Sequence, residues 1–312
     1  MSLAWREVTD GLSFPEGPIA LQDGSVIVVE IERGCLTRIS PSGEKRLVAQ
    51  LGGGPNGAAI GPDGQCYVCN NGGFEWHREA DGYLRIVGRA SDYRTGRIER
   101  VDLDTGAVTL LYDSCDGVAL KGPNDIVFDR SGGFWFTDMG KTYGRQMDRG
   151  AVYYARLDGS LIKEAIFPIL TPNGVALSPD DKTLYVSETE TSRLWSFEIV
   201  GEGEVVKLSW PSPNGGRLLH GLPGYQRFDS MAVEACGNIC VGTLVRGGIS
   251  VISPAGELVE FHDGPELFCT NICFGGIGMR TAFVTLSGTG RLMAVDWPRP
   301  GQPLHDPLTA RP

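Results

Sequence analysis

The stretch GPNDIVFDRSGGFWFTD, Gly122 to Asp138, decides the architecture. It sets an Asn–Asp pair before an apolar strand, then a Gly-Gly turn, an aromatic strand and a closing acid. Five other stretches share this design: FPEGPIALQDGSVIVVE from Phe14, GPNGAAIGPDGQCYVCN from Gly54, TPNGVALSPDDKTLYVSE from Thr171, RFDSMAVEACGNICVGT from Arg227 and CTNICFGGIGMRTAFVT from Cys269. Each holds a polar residue at one fixed place: Glu16, Asn56, Asn124, Asn173, Asp229 and Asn271. Apolar or small residues follow at alternate positions, the period of a strand with one buried face. A turn and a second apolar strand complete each hairpin.

The steps between the fixed residues are 40, 68, 49, 56 and 42. Units of this length built from paired strands are blades of a propeller. Outer strands read from GCLTRIS, GRIERVDL, GAVYYARL, SRLWSFEIV and GGISVIS, and RLMAVDW follows the last repeat. LAWREVT, ahead of the first repeat, is left to pair with the last blade and close the ring, which removes an exposed edge. The expectation is an all-β, six-bladed propeller spanning 1–312 as one domain, in preference to an immunoglobulin-like sandwich. The two longest steps contain NNGGFEWHREADGYLRIVGRASDYRTG and SWPSPNGGRLLHGLPGYQR, both expected as long loops.

Composition agrees. The 312 residues include 44 Gly and 19 Pro with 9% aromatics, which suits many short strands and tight turns. A net charge of −10 argues against nucleic acid or anionic membrane as a partner. There is no basic start with an apolar core and no run of 18 apolar residues, so the expected location is the cytoplasm with reduced cysteines. Cys66/Cys69, Cys236/Cys240 and Cys269/Cys273 have zinc-like spacings, but no His is spaced to join them. They read as small apolar residues of strands.

The fixed residue precedes an inner strand, so in a propeller it lies at one mouth of the central channel. The residue about 14 places on returns to the same end: Glu30, Asn70, Asp138, Ser187 with Glu188, Thr243 and Thr285. Both polar ends of the hairpin are therefore expected to converge on one mouth. The six fixed residues comprise one Glu, one Asp and four Asn, with no Lys or Arg. Buried carboxylates need a partner, and hard oxygen donors suit Ca²⁺, Mg²⁺ or Mn²⁺. Turn and strand-start preferences of Asn and Asp explain any one repeat; six together point to a bound divalent cation. Such an ion polarises a carbonyl or phosphoryl oxygen, and Asp229 or Glu16 is placed to act as general base. No Gly-X-Ser-X-Gly elbow, P-loop or dinucleotide fingerprint is present.

FPEGP, GPNDIVFDRSGGFWFTD with the following Tyr143-Gly144, TPNGVALSPDDKTLYVSET and FDSMAVEACGNICVGT resemble the senescence marker protein/gluconolactonase/luciferin-regenerating enzyme family, the bacterial gluconolactonases above all. The resemblance spans nearly the whole chain. It implies a six-bladed propeller with one catalytic divalent metal at the channel mouth: Ca²⁺ first, with Zn²⁺, Mg²⁺, Mn²⁺ or Fe²⁺ as alternatives. By motif it makes Glu16, Asn173 and Asp229 metal ligands, Asn124 a fourth ligand or a substrate contact, and Asp229 the general base. It implies a small lactone as substrate, with phosphotriesters as the alternative in a related branch. A non-enzymatic binding platform with a structural cation and a metal-free, strictosidine-synthase-like propeller are the remaining readings; Glu16 and Asp229 speak against the last. Two places depart from the family pattern. Gly122 stands where animal sugar-lactone members carry a substrate-binding Arg, and Ser230 follows Asp229 where Gly is common.

Specificity is expected from the long loops. GGFEWHREADGY brings Phe74, Trp76 and His77 toward the mouth, and YGRQMDR does the same for Tyr143 and Arg145. Trp76, His77, Tyr143, Asn124 and Asn56 are the candidate substrate contacts, while Asn56 and Asn271 equally fit a role as channel lining. His220, His262 and His305 carry no assigned role.

Overall fold

A computed structural model of the chain describes residues 3–309 and 311. Six antiparallel sheets follow one another in chain order. The first blade is Pro15–Ala20, Val26–Glu30, Cys35–Ile39 and Lys45–Gln50. The innermost strands of the other blades are Pro55–Ile60, Pro123–Phe128, Pro172–Leu177, Arg227–Val233 and Cys269–Gly275. Each innermost strand packs against the next and the last against the first, so the sheets form a closed ring. The last blade takes its outermost strand from Trp5–Thr9, which pairs with Arg291–Asp296. This is the closure expected from the sequence.

The turn of each repeat follows its residues. Gly132 takes φ +89° in the Phe128–Phe134 turn, a conformation that costs other residues strain. In the fourth blade Asp181 fills that role at φ +57°. Crowding at the axis explains the small residue after most of the fixed ones. A Cβ on Gly57 would lie 2.4 Å from the Asn124 carbonyl oxygen, and one on Gly174 2.8 Å from that of Asp229. The core lies between blades and is aromatic in the middle of the chain: Tyr67, Phe134, Phe136, Trp135, Tyr154 and Phe197 are fully buried. Each such side chain contributes about 1.5–3 kcal/mol.

Two expected loops are structured. The segment after Asn70 forms a hairpin, Phe74–Arg78 with Leu84–Arg89. Its alternating Phe74, Trp76 and Leu84 bury one face against the first blade, which a loop reading overlooks. The segment 209–227 contains Arg217–Gly221, the outer strand of the fourth blade, paired with Arg193–Gly201. The cysteines are free thiols; Cys66, Cys69, Cys240 and Cys269 are buried strand residues of the core. No described helix is long and apolar enough to cross a membrane.

The chain from Trp297 onward crosses the end of the channel opposite the fixed residues. Trp297 Nε1 donates to Glu234 Oε1 at 2.7 Å, and Arg299 joins Glu234 (2.6 Å) to Glu260 (2.9 Å). Gln302 N donates to Val233 O and Gln22 N to Leu308 O. Gln302, Leu304, His305 and Thr309 thus floor an apolar channel cavity of about 100 Å³.

Candidate functional site at the channel mouth

Each fixed polar residue is the second or third residue of its innermost strand, and the pairing register slips there in every blade: between Glu16 and Ile19, Pro55 and Ala58, Pro123 and Ile126, Pro172 and Val175, Phe228 and Met231, and Cys269 and Asn271. Such a bulge re-aims side chains out of strict alternation. The six residues are all buried. Asn271 Nδ2 donates to Glu16 Oε2 at 2.8 Å, linking the last blade to the first, and Ser230 Oγ donates to Asn173 Oδ1 at 3.2 Å.

A third carboxylate joins them. Asp125 follows Asn124 at the bulge, its Oδ1 accepting the Ile126 N–H at 3.0 Å and its Oδ2 the Val175 N–H of the next blade at 3.4 Å. Burial pushes the Asp125 carboxyl up to about 7, and the charge of Glu16 adds to this. Asp229 is raised well above the ordinary range, first by burial and then by Glu16. Burial also raises Glu16. Among the described residues no Lys, Arg or His side chain forms an ion pair with these three acids. Sequence reasoning missed Asp125 because a period-two strand would turn it away from Asn124; the signal was the acid inside PND itself.

Asn124 Oδ1 is buried without a hydrogen-bond donor, and its Nδ2 faces only Met139 Sδ at 3.3 Å. The mouth thus offers three acids and several amide oxygens with too few donors. Among the described residues no three His, Cys, Asp or Glu side chains stand in metal-ligating geometry by themselves, so a ligand set here draws on amides.

The second polar position does not join this ring. Asp138 accepts the N–H groups of Lys121 (2.7 Å), Gly122 (2.6 Å) and Gly140 (2.9 Å). Asn70 Oδ1 accepts from Gly54 (2.9 Å) and Gly72 (3.1 Å). Glu30 accepts from Ser13 N, Thr37 and Arg33, and Glu188 from Leu170 N. Ser187 Oγ takes the Gly174 N–H and donates to Asp229 O, bridging two blades. Both polar ends return to one end of the ring as expected, but the second set stays behind the axis ring, where Glu30, Asn70, Asp138 and Glu188 hold connecting backbone.

The hairpin Phe74–Arg78 lies across the first blade. Trp76 packs 4.9 Å from the Phe14 ring, two residues before Glu16, and Leu84 N donates to Gly288 O of the last blade. It is a wall beside Glu16. His77 is on the other face, half exposed and 3.4 Å from Glu79. Tyr143 donates to Asp148 Oδ2 at 2.9 Å under the Arg89 guanidinium, and Arg145 is exposed. His220, His262 and His305 bond to Gly256 O, Glu260 and Asp181, away from the ring. The glycine at 122 has a steric cause: a Cβ there would lie 2.5 Å from the Gly140 carbonyl oxygen.

The fold and its mouth define a six-bladed propeller with an acidic, amide-rich ring at one end of its channel. The chain belongs to the SMP-30/Gluconolactonase/LRE-like region family, which matches residues 14–288. It is 28% identical over 263 residues to the lactonase drp35 of Staphylococcus saprophyticus, covering 82% of this chain and 72% of that one. It is 26% identical over 311 residues to the gluconolactonase of Zymomonas mobilis, covering 90% and 78%. The solved gluconolactonase XC5397 of Xanthomonas campestris superposes with TM-score 0.74 at 21% identity over 95% of this chain and 90% of that one.

Proposed function

We propose that the protein is a divalent-metal-dependent lactone hydrolase, acting as one domain over 1–312 on a small-molecule lactone. The observation that carries this is the trio of buried acids without a cation beside the donorless Asn124 Oδ1. The names of the related lactonase and gluconolactonase support the reaction class.

The donor set fits a hard cation, Ca²⁺ first. Glu16, Asn173 and Asp229 would hold it, with Asn124 as a fourth ligand or a substrate contact. When bound, such an ion polarises a ring carbonyl and lowers the pKa of water. Asp229 takes a proton from the attacking water as its oxygen bonds to the carbonyl carbon. The ring C–O bond then breaks, the leaving oxygen takes up the proton, and a hydroxy acid results. Asn56 and Asn124 orient the lactone. Trp76 stiffens the adjoining wall, with His77 and Tyr143 farther out on the same rim hairpins.

The test is hydrolysis of sugar and non-sugar lactones by the metal-stripped protein, with each divalent ion restored in turn. Turnover returning with an ion is the expected result. Silence with every lactone and ion overturns the assignment and moves it to phosphotriesters, then to a binding platform.

A further inference from the structure

Between the second and third blades the mouth carries a cation that the reaction above does not use. Lys141 is 4% exposed. Its Nζ donates to Asn71 Oδ1 and to Gly73 O, both at 3.1 Å, and lies 4.1 Å from the Phe74 ring centre and 5.1 Å from that of Tyr93. An ammonium has three N–H donors; two meet oxygens, and among the described residues the third has only these ring faces. Among the described residues no carboxylate is in ion-pair reach of it either. Asp138, the acid whose charge acts on Lys141, already accepts three backbone N–H groups, while burial holds its carboxyl above the usual value.

The neighbouring amide is unfinished too. Asn71 is fully buried, and its Oδ1 accepts from Lys141 and from Gly73 N, but its Nδ2 has no partner. Asn71 is anchored at the mouth: its N–H donates to the carbonyl of Gly54, two residues before the ring residue Asn56. An ammonium without a counter-charge and an amide NH₂ without an acceptor thus sit on one hydrogen-bonded pair. Leaving such groups buried and unmet is costly, whereas satisfying them with an anion gives strong, charge-assisted bonds. Gly122 places this pair in context. The Gly140 carbonyl fills the space of any side chain at 122, and the residue after Gly140 is Lys141.

We propose that Lys141 and Asn71 form a carboxylate subsite, so that the substrate is a lactone bearing a carboxylate substituent. The subsite rests on the lactonase reading for its turnover readout, but not for ligand binding. Burial pushes the Lys141 ammonium down to about 7, the state of a cation that lacks its counter-ion, and a bound anion would restore the charge.

The experiment compares paraconate, a γ-lactone with a carboxylate, with γ-butyrolactone, its unsubstituted parent, in wild type, Lys141→Met and Lys141→Gln. Gln keeps donors for Asn71 and Gly73 and guards against a folding failure in the Met variant. The wild type is expected to favour paraconate, and both variants to lose roughly 10- to 100-fold of that preference, mostly in KM, the worth of a hydrogen bond to a charged group. An unchanged preference in Lys141→Gln, or a wild type that favours γ-butyrolactone, overturns the subsite. If no lactone is turned over at all, the lactonase reading fails separately. Calorimetric titration with methylsuccinate then decides: binding that weakens in Lys141→Gln supports the subsite, and no binding, or equal binding, overturns it.

Discussion

The ring at the axis and the second polar set behind it use the same residue types at the same end of the propeller, yet their chemistry is opposite. Asp138 meets three backbone N–H groups and Asn70 two, so these side chains complete hydrogen bonds that the blade connections leave open. Glu16, Asp125 and Asp229 are as deeply buried and are raised by that burial, with the charge of Glu16 adding to both aspartates, and Asn124 has an oxygen without a donor. A polar residue type therefore says little about role in this fold. Whether its partners are inside the chain says much more.

The comparison breaks first at activity. Glu16→Ala and Asp229→Ala are expected to lower lactone turnover by about a thousandfold or more, the scale of losing a general base or an ion site, and to abolish the rise in thermal midpoint on adding Ca²⁺. An active variant that no longer responds to metal would remove the axis ring from the mechanism.

Stability separates the sets next. Asp138→Ala leaves three buried N–H groups without an acceptor and should cost about 3 kcal/mol or more in urea unfolding. Asp229→Asn, in chelator, should instead leave stability unchanged or raise it. Equal losses would erase the distinction.

The smallest effect is in pH. The axis acids have folded pKa values above their unfolded ones, so the metal-free folded chain binds the extra protons. Its stability on this account is full below about pH 4 and declines as pH rises through about 7, the value reached by Asp125. In chelator the urea midpoint should fall between about pH 5 and pH 8, with a shallower fall in Asp125→Asn. Saturating Ca²⁺ should flatten it. A midpoint that rises with pH would show that these acids are already paired inside the chain.

The blades, the closing strand and the ring positions were legible because each repeat carries its own polar mark, turn and alternation. Three features were not. Asp125 joins the ring through a bulge, and a bulge has no fixed residue code. The hairpin with Trp76, although it turns at Asp81-Gly82 as a repeat does, and the strand Arg217–Gly221 lie in insertions between repeats and carry no fixed polar mark. The inward course of Lys141 depends on Asn71, distant in sequence and joined to it only by the fold.

Ring closure also sets a timetable. Glu16 leaves the ribosome 255 residues ahead of Asn271, the amide that holds it. The floor needs residues past Trp297, and the last blade needs Trp5–Thr9 from ahead of the first. Such long-range pairings are slow to form. A nascent chain thus holds its acids apart, and the mouth becomes a site only when the circle shuts.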